Sequence, residues 1–171
     1  INATTAGKKE MEEAISEAKV SFSMYKKKTI LFIDEIHRFN KSQQDYLLPF
    51  VEDGTIILIG ATTENPFFEV NKALISRSRV LELKSLSYSD IESILNKAIK
   101  DKERGMGKYE LDISEDAIEF ISKNADVDAR SALNALELAI LTTDISTDGK
   151  IHIDINIISE CIQKKVLKYD K

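Results

Sequence analysis

At 171 residues, with 43% hydrophobic and 31% charged side chains, the chain has the make-up of one folded domain or two small ones. A net charge of −5 makes it a poor ligand for nucleic acid by overall charge, so any such contact must come from a local patch. No apolar run approaches the roughly 18–20 residues of a membrane span, no basic-then-apolar leader opens the sequence, and the single Cys161 excludes an internal disulfide framework. Cys161 reads as a small half-buried hydrophobe, and the expected compartment is reducing and cytoplasmic. The first residue is Ile1 rather than Met, which sets the expectation of a piece cut from a longer protein.

Apolar residues at Met11, Ala14, Ile15, Ala18 and Phe22 recur at helical spacing and predict an amphipathic helix. Lys26–Lys28 form a solvated turn before Thr29–Ile33, an unbroken apolar run that predicts a strand buried on both faces, as in a parallel sheet. A second helix is expected from about Ser42 to Val51, stopped by Asp53-Gly54. A second buried strand, Thr55–Ile59, runs into Gly60 and a polar loop. A short helical stretch near Ala73–Ile75 precedes a third strand, expected at Arg79–Leu83. Strands alternating with helices argue for an open α/β sheet. Near Lys84 the character changes. Ser87 and Asp90 have capping-box spacing before an apolar stripe at Ile91, Ile94, Leu95, Ala98 and Ile99. After a charged loop, Ser114 caps another helix, a third runs from about Ala129, and a last one follows Ile151–Ile153 through Cys161. The expected division is therefore 1–84, part of an α/β core, and 85–171, an all-helical domain.

Four sites carry chemistry. Asp34-Glu35 end the first buried strand, and ligands of open α/β sheets bind outside the carboxyl ends of the strands. An Asp there can hold Mg²⁺ directly or through water, and a neighbouring Glu can polarise a water attacking a nucleotide. This is a Walker B pattern, although strands also end in acids for no functional reason. The next strand ends in Gly60-Ala61-Thr62-Thr63-Glu64-Asn65-Pro66, which places polar side chains where water would be set against a γ-phosphate, or simply forms a proline-containing turn. Arg77, within Ser76-Arg77-Ser78-Arg79, has the fork that suits phosphate oxygens. Arg130 opens a helix against the sense of the helix dipole, so an anion would reward it, or Asp128 caps the helix locally.

Taken in order, ILFIDEIHRFNKSQQDYLLPFVEDG, IGATTENP, ALISRSRV and DARSALNALE resemble the replication-associated recombination ATPases of the RarA/MgsA type. These are AAA+ proteins similar to the Werner-helicase-interacting ATPases and related to clamp loaders and RuvB. The resemblance covers nearly the whole chain. It implies the C-terminal part of an AAA+ P-loop core followed by a helical lid, from an ATPase that couples hydrolysis to DNA or protein–DNA remodelling in replication-fork maintenance, recombination and repair. By the same resemblance Asp34 is the Mg²⁺-linked acid and Glu35 the water-activating base. Thr63 is sensor 1, with Thr62 and Asn65 as rivals for that role and Asn65 also counted among the nucleotide-binding residues. Arg77 is the arginine finger acting on a neighbouring subunit, and Arg130 is sensor 2. ATP and Mg²⁺ are the implied cofactors. The implied partners are further copies of the chain in a homo-oligomer, DNA forks or single-strand/double-strand junctions, and replication proteins such as single-strand-binding protein or a helicase; no membrane is involved.

His37 is read as a structural or signalling residue, because Glu35 already supplies a base. Asn40, Lys41, Gln43 and Gln44 line either a surface facing DNA or a partner, or an exposed helix terminus. Two departures from the family pattern stand out. None of the six glycines opens a G-x-x-x-x-G-K-[ST] motif, so the chain alone is expected neither to bind ATP tightly nor to hydrolyse it. Val127 stands where Gly often precedes Asp-Ala-Arg, and the linker to an oligomerisation region is expected to start near Lys171. Two rival readings are an ATPase-dead, clamp-loader-like interaction subunit and a branch-migration-type motor. A sheet edge left open is expected to be shielded by self-association or by the N-terminal helix.

Overall fold

Helix α1, Lys8–Tyr25, starts where the Glu10 carboxylate accepts the Gly7 N–H at 2.8 Å and stops where Lys26 turns left-handed. It buries Met11, Ile15 and Ala18, the core of the stripe read from the sequence. Strand β1, Thr29–Ile33, is followed by a 3₁₀ turn at Ile36–Arg38, helix α2 at Lys41–Glu52 and strand β2 at Ile56–Gly60. Two one-turn helices follow, α3 at Pro66–Glu69 and α4 at Lys72–Ile75. The computed structural model describes residues 1–126 and 128–169; Val127 and residues 170–171, including the expected linker start, lie outside them.

β1 and β2 run parallel, with Thr29 beside Ile56 and Ile33 beside Gly60. This register places Leu31, Ile33 and Ile56 on one face, where they pack with Met11 and Ile15 of α1, Leu47 of α2 and Leu74 of α4. The opposite face carries Ile30, Phe32, Ile57 and Ile59, which are 45–63% exposed. The expectation of strands buried on both faces is thus corrected. The apolar run fits a two-sided sheet, but among the described residues of this unit only one face has a layer of helices against it.

The other edge of β1 is occupied by the extended residues Ile1–Ala3. Ile1 N donates to Phe32 O at 3.0 Å, Asp34 N to Ile1 O at 2.9 Å and Ala3 N to Asp34 O at 2.9 Å. The segment before α1, rather than the helix, therefore shields that edge. A further correction concerns Arg79–Leu83, which forms no strand. Among the described residues no strand lies beside it, so it gains no ladder hydrogen bonds, and Leu81 and Leu83 are 72% and 92% exposed.

The chain divides into two compact units, Ile1–Glu82 and the remainder from Leu83. The second contains α5 at Tyr88–Lys100, β3 at Leu111–Ile113, α6 at Glu115–Asn124, α7 at Ala129–Thr142, β4 at Ile151–Ile153 and α8 at Ile155–Tyr169. Ser87 and Asp90 form the expected reciprocal cap of α5, and the Ser114 hydroxyl accepts the Ala117 N–H at the start of α6. The helices close over one core that includes Ile91, Leu95, Ile121, Leu136, Ile140 and Ile158. The unit is helical as expected, with one addition: β3 and β4 form a three-residue parallel ladder. No helix among the described residues is long and apolar enough to cross a membrane.

Candidate functional site

The two acids sit where β1 ends. Asp34 has its main chain fixed by the bonds to Ile1 and Ala3, and its Oδ2 lies 3.4 Å from the Asn2 side-chain nitrogen. Glu35 adopts φ 55° and ψ 42°, a left-handed conformation that costs a non-glycine residue about 1–2 kcal/mol. The strain is held by a stitch between strand ends: Ile36 N donates to Ala61 O at 3.0 Å, and Ala61 N to Ile33 O at 2.8 Å. The left-handed residue reverses the chain into the 3₁₀ turn and leaves the Glu35 side chain 27% exposed beside His37.

His37 is the residue whose place the sequence reading missed. Its side chain is 7% exposed, its Nδ1 lies 2.8 Å from Thr62 Oγ1 at the end of β2, and its Nε2 lies 3.4 Å from Glu35 Oε2. Thr62 Oγ1 also accepts the Glu64 N–H at 3.0 Å. The three residues open for the polar tip of β2 therefore differ. Thr62 is engaged with His37, Asn65 accepts the Phe67 N–H at 3.1 Å as the cap of α3, and Thr63 is exposed to solvent. The contact between His37 and Thr62 spans 25 residues, so no local spacing announces it.

Arg77 is placed elsewhere. Its guanidinium pairs with Glu52 at 2.6 Å and donates to Ala73 O at 3.0 Å. Glu52 closes α2 just before β2 begins, whereas Asp34 and Glu35 follow the end of β1. Five-residue parallel strands span about 16 Å, so Arg77 is tethered toward the opposite end of the sheet from the acids of its own chain. Arg130 belongs to the second unit and is exposed in the first turn of α7. The Ser131 hydroxyl and the Arg130 backbone N–H hold the Asp128 carboxyl below its ordinary range, and this carboxylate caps α7. In the polar stretch after His37 the reading as an exposed helix terminus fits Asn40, Lys41 and Gln43, and only Gln44 departs from it. Asn40 and Gln43 cap each other at the start of α2, and Gln44 is 2% exposed, bonded to Phe39 O at 2.9 Å and Asn71 N at 2.7 Å. Gln44 therefore ties α2 to the approach to α4 and lines no outer surface.

Residues 1–87 match the model of the ATPase family associated with various cellular activities (AAA), and residues 107–171 match the AAA C-terminal domain. The chain belongs to the AAA family. It is similar over its whole length to Replication-associated recombination protein A of Haemophilus influenzae, at 48% identity over 171 residues, or 100% of this chain and 38% of that protein. It is also 46% identical over 140 residues to the ATPase WRNIP1 of Dictyostelium discoideum, covering 82% of this chain and 16% of that one. The chain thus spans well under half the length of these relatives. Among solved structures, the RuvB Holliday junction branch migration motor of Thermotoga maritima superposes with a TM-score of 0.67 at 22% identity, covering 96% of this chain and 51% of that chain. That likeness defines the fold: an AAA-type α/β unit followed by its helical C-terminal domain.

Proposed function

We propose that this chain is part of an AAA+ ATPase acting in replication-associated recombination, in which ATP is hydrolysed between subunits of a homo-oligomer to remodel DNA or protein–DNA complexes at forks, in the cytoplasm. The observation that carries the reading is the setting of Asp34-Glu35. Two acids stand at the carboxyl end of a parallel strand, and the left-handed one precedes a backbone stitch to the neighbouring strand end and faces His37, which in turn meets Thr62. Strain of this kind persists where the surrounding structure over-determines it, and such residues cluster at active sites. The family membership and the similarity to a replication-associated recombination protein support the same reading.

In this mechanism Glu35 takes a proton from the attacking water, and its neighbours keep the carboxylate aimed. A single half-buried carboxylate at the strand tip, Asp34, suits Mg²⁺, which takes one or two carboxylates and otherwise phosphate oxygens and water. Bound there, Mg²⁺ would neutralise charge on the phosphates. Thr63, with Thr62 and Asn65, would orient water and the γ-phosphate. Arg77, tied to Glu52 away from its own acids, suits delivery to nucleotide held by a neighbouring subunit. Arg130 would reach the phosphates as the second sensor. The complete protein is expected to hydrolyse ATP with Mg²⁺, and Glu35→Gln to retain nucleotide while losing about 10²–10⁴ in turnover. Nucleotide-binding and phosphate-release assays on the two proteins test this. A complete protein that assembles but never hydrolyses ATP would favour the interaction-subunit reading instead.

A further inference from the structure

Resting on the ATPase reading above, we infer that His37 is a positioning residue that couples Thr62 to the water-activating carboxylate of Glu35. The ring is nearly enclosed, and its two nitrogens meet two side chains that arrive from the ends of different strands. The direction of each contact follows from the chemistry of the partners. An ionised Glu35 can only accept, so the Nε2 facing it carries the proton. In a neutral ring Nδ1 is then an acceptor, and the Thr62 hydroxyl, already accepting from Glu64 N, donates its own proton to Nδ1. The result is an ordered line of contacts: a hydrogen bond from the Thr62 O–H to Nδ1, and Nε2–H facing Glu35 Oε2 across 3.4 Å as an electrostatic contact.

This line of contacts complements the backbone stitch. The bond from Ile36 N to Ala61 O fixes the main chain at Glu35 but leaves its side-chain torsions free. The Nε2–H faces Oε2 across 3.4 Å and draws the carboxylate toward the ring. Any displacement of the Thr62–Asn65 loop is transmitted through the ring to that carboxylate. A histidine kept only to fill space would not need both nitrogens aimed at side chains of one site.

In the complete protein, His37→Ala should lower kcat about ten- to a hundredfold through misplacement of the base. KM for ATP should stay within about twofold, because these contacts act on the chemical step rather than on binding. His37→Gln can place an amide N–H near the Nε2 position and should recover most of the lost rate. His37→Asn reaches only the Nδ1 position and should not. This contrast survives if the alanine variant fails to fold. Equal rates for the Gln and Asn variants, or a loss carried by KM, would overturn the inference while leaving the ATPase reading intact. A complete wild-type protein without hydrolysis would remove the ATPase reading itself. Ring ¹⁵N spectra of this chain supply a readout that needs no turnover. The Nε2–H tautomer is expected, with Nδ1 shifting in Thr62→Val; an Nδ1–H tautomer, or no response to Thr62→Val, would sink this arrangement.

Discussion

The two units each bury a core but place their exposed apolar side chains differently. The helical unit buries Ile91, Leu95, Ile121, Leu136, Ile140 and Ile158 to 2% exposure or less and caps α5, α6 and α7 with Ser87, Ser114 and Asp128. The α/β unit packs one face of β1 and β2 and leaves Ile30, Phe32, Ile57 and Ile59 half exposed on the other. It also keeps Glu35 in a left-handed conformation. The comparison teaches that the units differ in where strain and exposed apolar surface fall. The helical unit also leaves Leu138, Leu141 and Ile145 39–67% exposed and holds Asp126 at φ 49°. What sets the α/β unit apart is that its left-handed Glu35 is one of the two acids and that Ile30, Phe32, Ile57 and Ile59 share one sheet face.

The largest expected effect tests the chemical side of this contrast. Arg77→Ala in the complete protein should cost about 10³–10⁵ in turnover, the range seen when an arginine finger is removed, while nucleotide affinity is kept. Steady-state hydrolysis and equilibrium nucleotide binding, measured side by side, decide it; normal turnover would remove Arg77 from the mechanism.

Next in size are the cores. Leu136 and Leu47 are each essentially unexposed, and replacing either by Ala should cost about 2–5 kcal/mol. If the units are as different as their packing suggests, denaturant unfolding of the chain will show two transitions. Leu136→Ala should then move the later one and Leu47→Ala the earlier one. A single transition shifted equally by both would erase the contrast.

A smaller effect isolates the strain. Glu35→Gly should stabilise the α/β unit by about 1 kcal/mol by relieving the left-handed conformation, and should abolish turnover in the complete protein. Loss of stability in that variant would mean that the Glu35 side chain contributes more to folding than its backbone costs.

The smallest effect is a pH dependence confined to the helical unit. The Asp148 carboxylate, and after it Asp112, hold the proton on His152 and raise it above its ordinary value. The Lys150 backbone N–H, followed by His152, lowers Asp148. A raised histidine contributes stability below its unfolded value, near 6.5, and that contribution is lost as pH rises through the folded value. A lowered carboxylate contributes above its unfolded value and loses this as pH falls through the folded one. Thermal melts at mildly acidic and mildly alkaline pH should therefore show wild type losing more than His152→Gln as pH rises. Parallel melts for the two proteins would dismiss the clamp.

Much of this was legible in the sequence because it is local. Helical spacing gave α1, the Ser87–Asp90 pair gave the cap of α5, and the apolar run ending in Asp34-Glu35 marked the end of a strand. What could not be read depends on distant partners. Arg79–Leu83 has the composition of a strand but, among the described residues, no strand beside it, and Ile1–Ala3 gains its place from the edge of β1. Leu111–Ile113 is too short to signal a strand without Ile151–Ile153 beside it. Gln44 looks like a surface residue until Phe39 and Asn71 are brought to it. The left-handed Glu35 and the meeting of His37 with Thr62 likewise arise from the parallel pairing of the two strands and not from their own spacing.

The central claim is that each site is completed by two copies, with Glu35 from one and Arg77 from the next. Mixing experiments in the complete protein address it most directly. Glu35→Gln and Arg77→Ala should each be nearly inactive alone. Mixed in equal amounts and allowed to exchange subunits, about a quarter of interfaces in a cyclic assembly would pair an intact Glu35 with an intact Arg77, so hydrolysis should return. If the mixture stays as inactive as its components although mixed assemblies form, the two residues do not act across a subunit boundary and the shared-site account is wrong.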